Sequence, residues 1–175
     1  MGQILWEDTR QQAGKHMMKN AWWEAHGVEV RRKKLDFGDY MRDGSNVSID
    51  TKKGLEEVAM DVGRDHRRFV AEMDKAREAG CRLIVLVETA GPYHEIDDAM
   101  KWTNKACRMC ELRRFGACDP VGCMRCRKFR RKPMQGGTVA KMMRTLEEAH
   151  DVHFAFCHPR STARTICEIL GIDCT

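Results

Sequence analysis

No stretch of this 175-residue chain is apolar for long enough to cross a membrane, and its opening MGQILWEDTR holds no apolar core of signal-peptide length. Gly2 does not begin a myristoylation pattern, because Trp6 stands where that pattern requires Ser or Thr. A Walker A loop, a G-x-S-x-G elbow and the H-E-x-x-H and H-x₃-H spacings are all missing, which removes the sequence signals of nucleotide hydrolases, serine hydrolases and helix-borne zinc proteases. The seven histidines are therefore read as surface or cap residues. Internal repeats and long linkers are missing too. The expectation is a soluble, intracellular globular protein of the cytoplasm, with no membrane partner.

The chain is 42% hydrophobic, enough for one domain with a sizeable core and a small insert. Its net charge of +5 is unevenly spread. Residues 101–132 carry eleven Lys or Arg against Glu111 and Asp119, a local +9 that leaves −4 for everything else. A basic insert on a mildly acidic body is an electrostatic footprint for phosphates. Five of the nine cysteines fall inside the same segment. Cys81, Cys157 and Cys167 adjoin apolar runs and read as small core residues, and Cys174 as a terminal thiol.

Hydrophobic periodicity places the elements. QILW (3–6) is a short strand delivering Glu7, Asp8 and Arg10. Residues 11–27 have helical spacing, with Ala13, Met17, Ala21 and Trp22 on one stripe and Gly27 as a C-terminal cap. Residues 28–41 and 47–50 are expected to pair as a hairpin across the turn RDGSN. A long amphipathic helix over 54–80 follows, its buried stripe interrupted at Gly63 and its end marked by Gly80, then a buried strand, CRLIVLVE (81–88). After the irregular insert come a helix (138–151), a strand (152–157) and a closing helix (161–171). The β-α-β-β-α-β…α-β-α order means an α/β domain with a mixed sheet between helices, residues 1–90 and 136–175 forming the body and 91–135 the insert.

Three acids thus sit at strand ends: Asp8, Asp39 and Asp50. Residues i and i+2 of a strand face the same side, so Asp50 and Lys52 share a pocket. Converging carboxylates repel unless a hard cation such as Mg²⁺ neutralises them, and such an ion activates phosphodiesters and water. Spacing alone leaves a plainer alternative open, with Asp39 a turn former and Asp50 and Lys52 a surface pair.

The full string of motifs goes further. EDTR (7–10), LDFGDY (35–40), VSIDTKKGLEE (47–57) and GR (63–64) together resemble the nuclease domain of the XPF family, within the PD-(D/E)XK superfamily, with some similarity to archaeal Holliday-junction resolvases. The resemblance covers about residues 3–90. It implies a restriction-endonuclease-like fold and a Mg²⁺- or Mn²⁺-dependent DNA endonuclease of recombination or repair, selective for branched, flapped or double-stranded DNA and plausible as a homodimer. Carried over by position, Asp39 and Asp50 would ligate the metal, Lys52 would be the catalytic lysine, and Asp8 would hold a metal-bound water. Arg10 would contact a phosphate or brace the acids, Glu56 would be the acid that follows the lysine, and Arg64 the helix arginine. The family's E-R-K is D-T-K here, and Gln11 replaces the Glu of D-x-R-E.

The insert reads C-x₂-C (Cys107, Cys110), then Cys118, then C-x₂-C (Cys123, Cys126). Two such knuckles fit a structural Cys₄ zinc site, and five candidates for four places leave the set open, with Cys107, Cys110, Cys123 and Cys126 favoured. Zinc would stiffen a loop too small for its own core. On that frame Arg113, Arg114, Arg125, Arg127, Lys128, Arg130, Arg131 and Lys132 would neutralise DNA phosphates, substituting for the tandem helix-hairpin-helix module that does not follow here. A non-catalytic DNA-binding module and a zinc-dependent interaction protein are the rival readings. Against the latter, DNA affinity is expected to fall steeply with salt, and neutralising Arg127 through Lys132 to flatten that slope in a binding titration at several ionic strengths.

Overall fold

Six strands form a single mixed sheet in the computed structural model, which describes residues 3–11, 16–118 and 133–174. They are β1 (Ile4–Asp8), β2 (Glu29–Lys33), β3 (Tyr40–Arg42), β4 (Val47–Lys52), β5 (Arg82–Glu88) and β6 (His153–Cys157), in the spatial order β2-β1-β3-β4-β5-β6. β3 runs antiparallel to both neighbours, and the other pairs are parallel. The helices are α1 (Met17–Ala25), α2 (Leu55–Val62), α3 (His66–Glu78), the short α4 (Lys105–Arg108) and α5 (Glu111–Arg114), then α6 (Gly136–His150) and α7 (Thr162–Leu170).

Strand alternation feeds two cores. On one face Val85, Val87 and Phe154 pack under Val58 and Val62 of α2, Phe69 and Met73 of α3 and Met143 of α6. On the other, Leu5, Tyr40, Ile49 and Leu86 meet Trp23 of α1 and Ile166 of α7. Each fully buried aliphatic side chain is worth about 1.5–3 kcal/mol. Central β5 is buried on both faces, as its unbroken apolar run requires. Cys81, Cys157 and Cys167 are buried and Cys174 is exposed, as their neighbours in sequence indicate.

Three expectations need correction. The run 28–41 is two strands rather than one arm of a hairpin: β2 lies beyond β1, and β3 lies on β1's other side. The connection crosses by turning inward at buried Leu35 and passing through Gly38, whose φ of +69° suits glycine. A Cβ on Gly38 would collide with Ser48 Oγ and come within 2.9 Å of Ile49 O. The helix 54–80 is two helices, α2 and α3, parted at the Gly63 that the sequence marks as its interruption, where a Cβ would stand 2.8 Å from Ala59 O and 3.0 Å from Met134 Cε. In α1 the buried aromatic is Trp23, donating from Nε1 to Ala163 O at 3.1 Å, while Trp22 stacks on His26 and Met17 is 71% exposed. Docking on α7, which the sequence period does not encode, rotates the stripe; Ala13 lies outside the described residues.

The first part of the insert belongs to the core. The 3₁₀ turn Ile96–Lys101 places Ala99 and Trp102 against α6. Contact is so close that a Cβ on Gly136 would collide with Ala99 O and lie 2.6 Å from Trp102 O. Gly136→Ala is therefore expected to lower unfolding free energy by about 1–3 kcal/mol in a urea titration, against a negligible change for exposed Gly137→Ala.

Candidate active site

The three acids at strand ends come into register. Asp8 N donates to Asp39 O at 2.8 Å, and Asp39 N donates to Ile49 O at 2.7 Å, so Asp8 at the end of β1, Asp39 just before β3 and Asp50 in β4 lie side by side. Alternation sends Asp8, Asp39, Asp50 and Lys52 to the α2/α3 face. Glu7, Tyr40, Ile49 and Glu88 go to the face under α1 and α7.

Lys52 and Asp50 form one cluster. The Lys52 Nζ lies 2.8 Å from Asp50 Oδ2 and 2.9 Å from Asp61 Oδ2, with side-chain exposures of 11%, 9% and 7% for the three residues. Neither Oδ2 receives a directed hydrogen bond; charge holds them. The ammonium also lies 5.2 Å from the centroid of the Phe69 ring. Burial raises the Asp50 pKa to about 7; Lys52 opposes the rise, and Asp39 and Glu72 add to it. Burial also works against the Lys52 charge, but Asp50 and Asp61 outweigh it and hold the ammonium above its ordinary value.

Asp39 is fixed differently. Its Oδ2 accepts from Thr51 N at 2.9 Å and from Thr51 Oγ1, and its Oδ1 accepts from Gln11 Nε2. Gln11 Oε1 in turn contacts His16 Nε2 at 2.9 Å. Burial, then Lys19 and Lys53, lower the His16 pKa, so its imidazole is neutral near pH 7. Gly38 N donates to Glu72 Oε1 at 3.1 Å, which ties the loop before Asp39 to α3.

Asp8 is level with the cluster but engaged elsewhere, and the remaining candidates scatter. Asp8 is buried, pairs with Arg10 and accepts from Leu35 N at 3.4 Å, while Arg10 donates to Leu35 O at 3.0 Å. This pair braces the 35–38 crossing. Glu56 is bonded at 2.7 Å to Arg108 of α4. Arg64 is exposed on the α2–α3 elbow and pairs with Asp65 at 3.2 Å. Arg113 and Arg114 are exposed on α5. Cys107 is buried, with Gln135 Nε2 3.7 Å from its Sγ, and Cys110 and Cys118 are half-buried. Cys123, Cys126, Arg125, Arg127, Lys128, Arg130, Arg131 and Lys132 lie outside the described residues.

Sequence reading missed Asp61, Glu72 and the Lys19–Glu88 pair at 3.3 Å on the opposite face. Asp61 was detectable: three residues after Val58 and one before Val62, it falls on the apolar stripe of α2. A cleft of about 360 Å³ at the start of α2 is lined by Gly54, Glu56, Glu88, Tyr93, Trp102 and Arg108, and of the candidate residues holds Glu56 alone. A roomier one of about 690 Å³ along β6 and α6 holds none of the candidate residues.

Among the described residues no group of three or more His, Cys, Asp or Glu is arranged to hold a metal ion. The donor chemistry at Asp39 and Asp50 nevertheless suits a small hard cation: two neighbouring carboxylates, one with a buried oxygen lacking a directed hydrogen bond. Mg²⁺ commonly uses one or two carboxylates and completes its shell with water.

The fold is similar to that of two solved structures of XPF. XPF from Aeropyrum pernix superimposes with a TM-score of 0.58 at 18% identity over 96% of this chain and 60% of that one. XPF from Aeropyrum pernix in complex with DNA gives 0.59 at 15% identity over 97% and 64%. The chain thus spans less than two thirds of the length of either. No family model and no curated protein matches it. No helix among the described residues is long and apolar enough to cross a membrane.

The Asp50 environment has a measurable consequence. With its folded pKa raised, the native state binds a proton that the unfolded chain releases near pH 4. The associated stability is complete below about pH 4 and is lost as pH rises to about 7. In EDTA, Asp50→Asn should therefore melt above wild type at pH 8, by on the order of 2–4 kcal/mol, and the gap should close at pH 4.

Proposed function

We propose that the chain is a divalent-metal-dependent DNA endonuclease of the XPF type, acting on branched, flapped or duplex DNA. The observation that carries this reading is the buried Asp50–Lys52 pair beside Asp39 at the carboxyl end of β4. Asp39 and Asp50 would hold Mg²⁺ or Mn²⁺, which supplies Lewis-acid polarisation of the scissile phosphodiester and a water acidic enough to attack it. Lys52 stays protonated between its carboxylates, so it serves as a fixed cation and hydrogen-bond donor for charge building on phosphate oxygens rather than as a base. Thr51 and Gln11 orient Asp39. Four of Cys107, Cys110, Cys118, Cys123 and Cys126 would bind structural zinc, and the basic residues around them would position DNA. In support, Cys110 N donates to Cys107 O at 3.2 Å, a tight turn of the kind a knuckle uses.

One observation favours a second reading, a DNA-binding module without catalysis: hydrogen bonds from Gln11 and Thr51 occupy both oxygens of Asp39. Cleavage separates the two. Wild type with Mn²⁺ is expected to cut at least one of a panel of branched, flap, nicked and linear DNAs. Asp50→Asn should lose at least a hundredfold in rate while binding within threefold of wild type. A wild type that binds but never cuts selects the module.

A further inference from the structure

We infer that Asp61 is a positioning residue that keeps Lys52 from competing with a divalent cation for Asp50. The inference rests on the reading of Asp39 and Asp50 as cation ligands. Asp61 lies on the inward face of α2 between Val58 and Val62, both fully buried, where packing alone calls for an apolar side chain. A buried carboxylate there is costly unless it is paired. Its partner is the Lys52 ammonium, 2.9 Å from Oδ2, with Arg68 more distant at 4.0 Å from Oδ1.

Charge balance explains the need for a second carboxylate. With Asp39 and Asp50 alone, a divalent ion and the Lys52 ammonium bring three positive charges to two negative ones. An ammonium 2.8 Å from Asp50 Oδ2 then opposes the ion, and losing Asp50 would strand a buried lysine without a counter-charge. Asp61 supplies a further negative charge, from α2 rather than from the sheet. Lys52 can lean on it, stacked near Phe69, and stay in reach of the substrate. Glu56, the acid that sequence order selects for the position after the lysine, is engaged with Arg108, whereas Lys52 pairs with Asp61.

The test is Mn²⁺ binding to the full chain without DNA, by isothermal titration. Asp61→Asn should weaken Mn²⁺ at least tenfold, and Asp61→Glu should stay within threefold of wild type. The double variant Lys52→Met/Asp61→Asn should recover affinity to within threefold, because the competing ammonium is gone. Asp61→Ser replaces Asp61→Asn if the latter does not unfold cooperatively. Wild-type affinity in the single neutral variant, or no recovery in the double one, overturns the inference and leaves the metal reading standing. A wild type that takes up no Mn²⁺ overturns both.

Discussion

At the end of β4 a single ammonium group sits between two carboxylates with little water around any of the three. Such a cluster does not come free. Charges taken out of water lose hydration, and their mutual attraction repays this only when geometry is tight and partners are complete. Here there is one more carboxylate than cation, and a further one, Asp39, beside them. Burial raises the Asp50 pKa, and the neighbouring charges of Asp39 and Glu72 add to the rise. An arrangement with excess buried negative charge is poor as a mere structural brace and well suited to receiving a cation.

The fold is what makes this arrangement possible. β3 is only three residues long, yet it joins β1 to β4 antiparallel on both sides, so three acids from distant parts of the sequence end level. Gly38 lets the chain pass against β4 immediately before Asp39, and the Asp8–Arg10 pair holds the loop that leads there. α2 begins three residues after Lys52 and carries Asp61 back over the lysine. The Glu56–Arg108 pair ties the same helix to α4, and so links the cysteine-rich segment to the element that covers the site. Packing, backbone crossing and site geometry are thus parts of one constraint.

How much of this can be read from sequence depends on what each residue's neighbours reveal. Asp39, Asp50 and Lys52 are legible because charges follow directly on apolar strand residues, and the period of two assigns their face. β5 and the buried cysteines are legible from apolar runs. The split of 28–41 into two strands is not, since alternation says nothing about which side of β1 a strand lies on. Glu56 and Asp61 show the other limit. Motif spacing selects Glu56, whereas helical phase selects Asp61, and only the docking of α2 on the sheet shows which one faces Lys52. The α1 stripe failed for a similar reason: Trp23 is drawn inward by α7, which comes some 140 residues later.

The central claim is that Asp39 and Asp50 share a cation beside Lys52. Anomalous diffraction from a crystal equilibrated with Mn²⁺ tests it most directly. A peak within coordination distance of carboxylate oxygens of both Asp39 and Asp50, with the Lys52 ammonium still in contact with Asp61, is the expected result. A well-ordered site with no peak there, or a peak held by other residues alone, would contradict it.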